Sequence, residues 1–311
     1  MKPIQGICPI VATPFTPQGD LDRDSLRSLL RALIEEGCHA LTLFGIASEY
    51  YKLSDGEKLA MARIAVEECH KAGVPSILSV TQHATEMAVR EALQWEEVGA
   101  DCLMLLPPFF LKPTAAAVYE HALAVGRAVR LPIMLQYAPE QTGVGIPPEV
   151  LARLQGHSPN IHLFKIECKP PGAYITRLMK LCEQAKVFTG NAGFQMIESL
   201  DRGAIGVMPG CSLSRVYLSI YDAYKAGRRD EAVRIHGLLL PLLNHIRQDV
   251  EMIIYYEKKI LRLSGKIEHD HCRLPGFSPD QTHDRLFEEY YHCLMESTAG
   301  AQAATESMAR G

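Results

Sequence analysis

Eight short apolar runs recur between residues 6 and 210: GICPIVATPF (6–15), ALTLFG (40–45), PSILSV (75–80), DCLMLLPP (101–108), LPIMLQYAP (131–139), IHLFKIE (161–167), KVFTG (186–190) and AIGVMPG (204–210). Runs this short and this continuously apolar suit strands buried on both faces of a parallel sheet. Amphipathic stretches fill the gaps. Over 24–36, Leu26, Leu29, Leu30 and Leu33 fall at helical spacing, and 55–72, 84–98, 114–129, 147–155, 172–184, 193–202 and 212–226 complete the set. Eight strands, each followed by a helix, predict an α/β fold, a (β/α)8 barrel spanning 1–226. The alternative is an open doubly wound sheet, which usually carries a glycine-rich fingerprint after its first strand. The segment there, ATPFTPQG, does not match one. Gly37, Gly99 and Gly203 each stand between a helical stretch and an apolar run, so they are expected to end helices in the left-handed conformation.

Residues 227–296 keep helical patterning without further strands and are expected to form a C-terminal helical extension; the small, polar stretch 297–311 is expected to be an unordered tail. The net charge is −4, from 32 Lys+Arg against 36 Asp+Glu, and no basic run points to nucleic acid or an anionic membrane. No uncharged apolar stretch is long enough to span a bilayer. The N-terminal segment carries two prolines and no cleavage pattern, so it reads as a first strand and not as a signal peptide. Nine scattered cysteines without a C-x-x-C pair point to a reduced, cytoplasmic protein.

In such a barrel, chemistry sits at the C-terminal ends of the strands. Those positions are Thr13 and Pro14, Gly45 to Glu49, Pro107 to Phe110, Gln136 to Pro139, Lys165 and Glu167, Gly190 and Asn191, and Val207 to Gly210. Lys165 stands out because it lies inside the apolar run HLFKIE. Burial disfavours the charged form of an amine, and a neutral amine can attack a ketone to form a Schiff base. A lysine paired structurally with Glu167 is the competing reading.

The order and spacing of VATPF (11–15), FGIASE (44–49), PPFF-x-KP (107–113), QYAPEQTG (136–143), FKIE (164–167), TGN (189–191), RGAIGVMPG (202–210) and RLP (273–275) identify a resemblance. The chain resembles the dihydrodipicolinate synthase / N-acetylneuraminate lyase superfamily of Schiff-base aldolases over roughly 6–290. The resemblance implies that Lys165 is the Schiff-base lysine and that no cofactor or metal is required. It implies that the amides of Ile46 and Ala47, with Ser48 beside them, hold the substrate carboxylate. Gly190, Asn191 and Val207 are further substrate-binding candidates at strand ends. It also implies a homo-oligomer, a tetramer built as a dimer of dimers, acting on a small 2-oxo acid.

The chain departs from the family where the synthase moves protons. Ala47 stands at a hydroxyl position, Phe110 at the tyrosine after strand 4, and Gln141 at the arginine for the second substrate. The catalytic tyrosine after strand 5 falls on Gln136 by gap-free counting, whereas a bulge would bring in Tyr137. Both are carried as catalytic candidates. The expectation is a Schiff-base lyase or aldolase acting on pyruvate or a related 2-oxo acid. A 2-keto-3-deoxy sugar acid aldolase or dehydratase and a non-catalytic 2-oxo acid binder are the alternatives. Three other features read as structure. His269-Asp270-His271-Cys272 fits no standard zinc spacing, Glu49 fixes its own loop, and Cys168 and Cys211 pack as small apolar groups.

Overall fold

The computed structural model describes residues 3–309, with side chains through Thr298. Strands and helices alternate as β1 (Gly6–Ile7), α1 (Arg23–Glu35), β2 (Leu41–Leu43), α2 (Asp55–Ala72), β3 (Ser76–Val80), α3 (Thr85–Val98), β4 (Cys102–Leu105) and α4 (Ala115–Ala128). They continue as β5 (Ile133–Tyr137), α5 (Pro139–Thr142), α6 (Pro148–His157), β6 (Ile161–Ile166), α7 (Pro171–Leu181), β7 (Lys186–Thr189), α8 (Met196–Asp201), β8 (Gly206–Val207) and α9 (Ser214–Lys225). The eight strands are parallel and bonded in the order β1-β8-β7-β6-β5-β4-β3-β2.

The circle closes through the chain just past β1. Ile10 bridges to Thr42 on one side and Gly210 on the other, and Val11 N–H donates to the Thr42 carbonyl at 2.8 Å. The apolar run 6–15 therefore forms only a two-residue regular strand followed by isolated bridges. Pro9 is the reason, because it has no N–H to give a ladder. At the seam, a Cβ on Gly206 would stand 2.4 Å from the Gly6 carbonyl oxygen and 2.5 Å from the Phe188 ring. Only glycine lets β8 and β1 approach this closely.

Strand alternation sorts the core into two layers. Cys8, Ile77, Cys102, Met104, Met134, Leu163, Phe188 and Met208 fill the barrel interior. The opposite faces of the same strands pack against the ring of helices, as Leu135, Phe164, Ile166, Val187 and Val207 do. Local signals set the helix ends. Asp22 caps α1 by accepting from Ser25 N–H, and Ser54 and Glu57 form a capping box on α2. Gly37, Gly99 and Gly203 adopt φ of 94°, 98° and 96°, as expected from their positions after helices.

Past α9 come α10 (Arg229–Ile246), α11 (Val250–Leu263) and α12 (Gln281–Ala309). The sequence expectation of a tail over 297–311 falls at the end of α12: the backbone is helical to Ala309, and Arg310 and Gly311 lie outside the described residues. Among the described residues, no helix is long and apolar enough to cross a membrane.

The segment after α11 returns to the barrel. Arg273 donates to the carbonyls of Gly19 (2.9 Å) and Lys52 (2.7 Å) and grips the Glu57 carboxylate with two nitrogens. The Phe15 ring carries two cations, the Arg273 guanidinium at 4.2 Å and the Lys258 ammonium at 4.4 Å from its centroid. This joins two of the sequence matches, VATPF and RLP. The Arg273 guanidinium holds the Glu57 carboxyl down at about 2, against an ordinary 4.5. A depressed carboxyl stabilises the fold at pH above its unfolded value and loses that contribution as pH falls through its folded value. Glu57→Gln should therefore lower unfolding stability at pH 7 by about 1–3 kcal/mol. Denaturant titrations run between pH 7 and 2 should show a shallower acid loss for the variant, the missing part lying between about pH 4.5 and 2.

Candidate active site

Leu163 faces the barrel interior, so the two-residue period of an extended chain carries Lys165 and Glu167 to the same side. Lys165 is 3% exposed. Its ammonium lies 3.3 Å from Glu167 Oε1. The same oxygen accepts the Asn191 backbone N–H at 3.0 Å, and the other, Oε2, accepts Gln136 Nε2–H at 2.6 Å. The Glu167 carboxylate is thus held from three sides. Gly190 makes room for it, since a Cβ there would stand 2.3 Å from Oε1.

Gln136 and Tyr137 are separated by register. Gln136 pairs with Lys165 and Tyr137 with Ile166. The irregularity in this strand pair lies earlier, between Ile133 and Met134, so no bulge intervenes at the strand end. Gln136 shares the interior face with Lys165. Tyr137 points into the outer layer, where it stacks on Tyr174 with ring centroids 4.7 Å apart. Burial there pushes its phenol up from the ordinary value.

The loop after β2 forms one wall. Residues Ile46–Ser48 make a single 3₁₀ turn, so the amides of Ile46 and Ala47 have no acceptor within the turn. Both residues line the cavity above Lys165. Ser48 is fully buried and turns away: its hydroxyl donates to the Val11 carbonyl at 2.6 Å, and its own carbonyl accepts from Thr13 Oγ1 at 2.6 Å. Glu49 closes the turn at φ 55°. Its buried carboxylate meets the Lys258 ammonium and, at 3.3 Å, that of Lys52. It fixes the loop and does not enter the cavity lining.

At the last two strand ends the candidates divide. Asn191 lines the cavity, and Gly190 serves it by its lack of a side chain. Val207 does not line it: alternation turns it outward, where it packs against Gly193 in the helical layer. The next residues, Met208, Pro209 and Gly210, line the cavity instead.

A narrow inner chamber of about 80 Å³ surrounds Lys165, Glu167 and Gln136. It opens into an outer chamber of about 520 Å³ walled by Tyr50, Tyr51, Phe109, Glu140, Lys169 and Arg247. Ile46, Gln141, Asn191, Val250 and Ile253 border both chambers. Arg247 stacks on Phe194 at 4.6 Å and donates to Asn191 Oδ1. Phe110 is 79% exposed on the outer side of its loop, bordering a separate apolar recess with His83 and His121. Cys168 and Cys211 are buried, and burial pushes the Cys168 thiol up to about 11 and Cys211 further still. Inert packing is the result. At 269–272, the His269 ring faces Glu268 and the His271 carbonyl accepts from Lys258. No group of three or more potential metal ligands is assembled among the described residues.

Sequence reasoning missed two contributors. Glu167 was read only as a partner for Lys165, although its i+2 position on an interior-facing strand was the available signal. Arg247 sits in the α10–α11 connection, where no strand-end rule points. The assembled site offers a buried amine, a carboxylate touching it, and two free amide donors. That set can form an imine, move a proton beside it, and orient a carboxylate.

The chain matches the dihydrodipicolinate synthetase family over residues 3–290. It is 28% identical to L-2-keto-3-deoxyarabonate dehydratase of Azospirillum brasilense over 89% of this chain and 90% of that one. It is 32% identical to 4-hydroxy-tetrahydrodipicolinate synthase of Citrifermentans bemidjiense over 77% of this chain and 82% of that one. The crystal structure of dihydrodipicolinate synthase from Rhodopseudomonas palustris superposes with a TM-score of 0.87 at 25% identity, covering 93% of this chain and 97% of that one. The protein belongs to the dihydrodipicolinate synthetase family and is a lyase of that family's class I aldolase type.

Proposed function

We propose that the protein dehydrates a 2-keto-3-deoxy acid through an imine on Lys165, with Glu167 as the group that moves protons. The observation that carries this reading is the Glu167 carboxylate, 3.3 Å from the Lys165 ammonium and anchored by Gln136 at 2.6 Å, where a tyrosine relay is absent. The Lys165 amine adds to the C2 carbonyl, and water leaves to give the imine. The Ile46 and Ala47 amides hold the C1 carboxylate. The imine drains electron density from C3, and Glu167 removes a C3 proton to give the enamine. The C4 hydroxyl then departs as water, taking the proton from Glu167. Hydrolysis releases an unsaturated 2-oxo acid, which tautomerises, and restores the amine. A curated relative named for the dehydration of a 2-keto-3-deoxy acid supports the assignment.

Borohydride reduction with pyruvate and with a panel of 2-keto-3-deoxy acids, read by mass spectrometry, tests the imine. Lys165→Ala should abolish the adduct. Glu167→Gln should keep it while slowing turnover on the order of 10²–10⁴-fold. Pyruvate and an aldehyde as products would replace dehydration with retro-aldol cleavage. An adduct without turnover of any panel member would make the protein a 2-oxo acid binder. Tyr137→Phe, at a side chain facing away from Lys165, should change turnover less than threefold.

The same reading includes a homo-oligomer, a tetramer built as a dimer of dimers, in the cytoplasm. All nine cysteines are free, which suits a reducing compartment. Phe110 and Leu111, 79% and 86% exposed on one loop, supply apolar surface for contact between copies. Sedimentation at micromolar concentration should give a species near four times the monomer mass; a monomer would overturn the assembly.

A further inference from the structure

We infer that Arg247 recognises a second carboxylate at the end of the substrate remote from the keto acid, so that the preferred substrate is a diacid. The inference rests on the imine reading of Lys165 and extends it to the outer chamber. Arg247 lies in the connection between α10 and α11 and borders that chamber together with Gln248 and Asn191. Its guanidinium is held in place by stacking on Phe194 at 4.6 Å and by donation to Asn191 Oδ1. Its Nε–H is buried with no hydrogen-bond acceptor, and so is the neighbouring Asn191 Nδ2 group. Buried donors without partners are uncommon, and each calls for an explanation. Both residues nonetheless border the outer chamber, beyond the inner one that contains Lys165, so a ligand reaching that wall meets a cation and an amide side by side.

The charges around the cavity give the class of that acceptor. Two of its acids are already matched: Glu167 with Lys165 at 3.3 Å, and Glu140 with Lys169 at 2.6 Å. The remaining acid of the lining, Asp249, is exposed and caps α11 through the Glu251 N–H at 2.8 Å. Arg247 makes no ion pair with any described residue. Glu140 and Glu167 act on it only at a distance, each being in direct contact with a lysine instead. A guanidinium at the chamber wall suits the planar, two-oxygen geometry of a carboxylate. Its position relative to the inner chamber is set by a short relay, in which Asn191 gives its backbone N–H to Glu167 and receives Arg247 on its side chain. A chain whose C2 is bonded to Lys165 would pass Asn191 and present its far end to Arg247.

The test compares two 2-keto-3-deoxy acids of equal chain length, one ending in a carboxylate and one in a hydroxymethyl group. The wild type should favour the diacid in kcat/KM. Arg247→Ala should lower kcat/KM for the diacid by about 10- to 100-fold, mostly through KM, and for the hydroxymethyl acid by less than threefold. Arg247→Lys, which keeps the charge and loses the fork, should recover part of the loss. A purely structural role for Arg247, through Asn191, would depress both substrates equally, and that result overturns the proposal. So does a wild type that turns over the hydroxymethyl acid as well as the diacid or better. Reductive trapping of the wild type with pyruvate, which has no far end, separates the two readings. Failure to trap sinks the imine itself, whereas trapping without preference for the diacid sinks only the role of Arg247.

Discussion

The Glu49–Lys258 ion pair is the contact on which the site's geometry depends. Both side chains are fully buried. Removing two charges from water costs several kcal/mol each unless the geometry is good and the remaining hydrogen-bonding capacity is met. Here Lys258 also donates to the His271 carbonyl at 2.9 Å and lies over the Phe15 ring, and Lys52 takes the second oxygen of Glu49. The arrangement pins Glu49 at a positive φ, which non-glycine residues adopt only when their surroundings hold them there. The 3₁₀ turn just before it is fixed in consequence, and with it the two free amides. Breaking one partner of such a pair typically costs ~3–5 kcal/mol. The helical extension is therefore part of the active site and not an appendage, since Lys258 comes from α11.

A second constraint is steric and acts on Glu167. A carboxylate two residues beyond an interior lysine must occupy the space between adjacent strand ends. Gln136 on β5 and the Gly190–Asn191 turn after β7 flank it from either side. A side chain at 190 would collide with it. The three positions form one unit: glycine admits the acid, while the amide side chain and the backbone N–H orient it. Gln136 donates its N–H and cannot itself exchange a proton at neutral pH, so among these three positions the carboxylate it holds is the group with a proton to exchange.

The barrel was legible in the chain because strands buried on both faces must be continuously apolar, and eight such runs leave few other architectures. Lys165 was legible as the polar exception in one of them. Choosing Gln136 over Tyr137 required only the period of two, which holds here because the register irregularity lies at the start of β5 and not at its end. Where proline cut a ladder, as at Pro9, the apolar run overstated the strand, and Val207, taken as a binding candidate from its strand-end position alone, falls by alternation on the helical side. Arg247 and Lys258 were illegible for a different reason. They lie on helices or connections whose approach to the barrel mouth is set by tertiary packing, and no periodicity encodes that.

The two chambers are built from structurally different parts of the chain. The inner chamber is walled by strand ends and the loop after β2, whose positions are fixed by the barrel's own hydrogen bonds and by the buried ion pair. The outer chamber adds to these the α5 turn, the α10–α11 connection and the start of α11, which pack on the barrel but are not bonded into its sheet. Substitutions among the first group disturb closure or the buried charge and are penalised by stability as well as chemistry. Substitutions among the second leave the sheet intact. A chain of this architecture can thus keep its inner chamber while the outer one is recut, and the Arg247 guanidinium lies in the part of the wall where such recutting is least constrained.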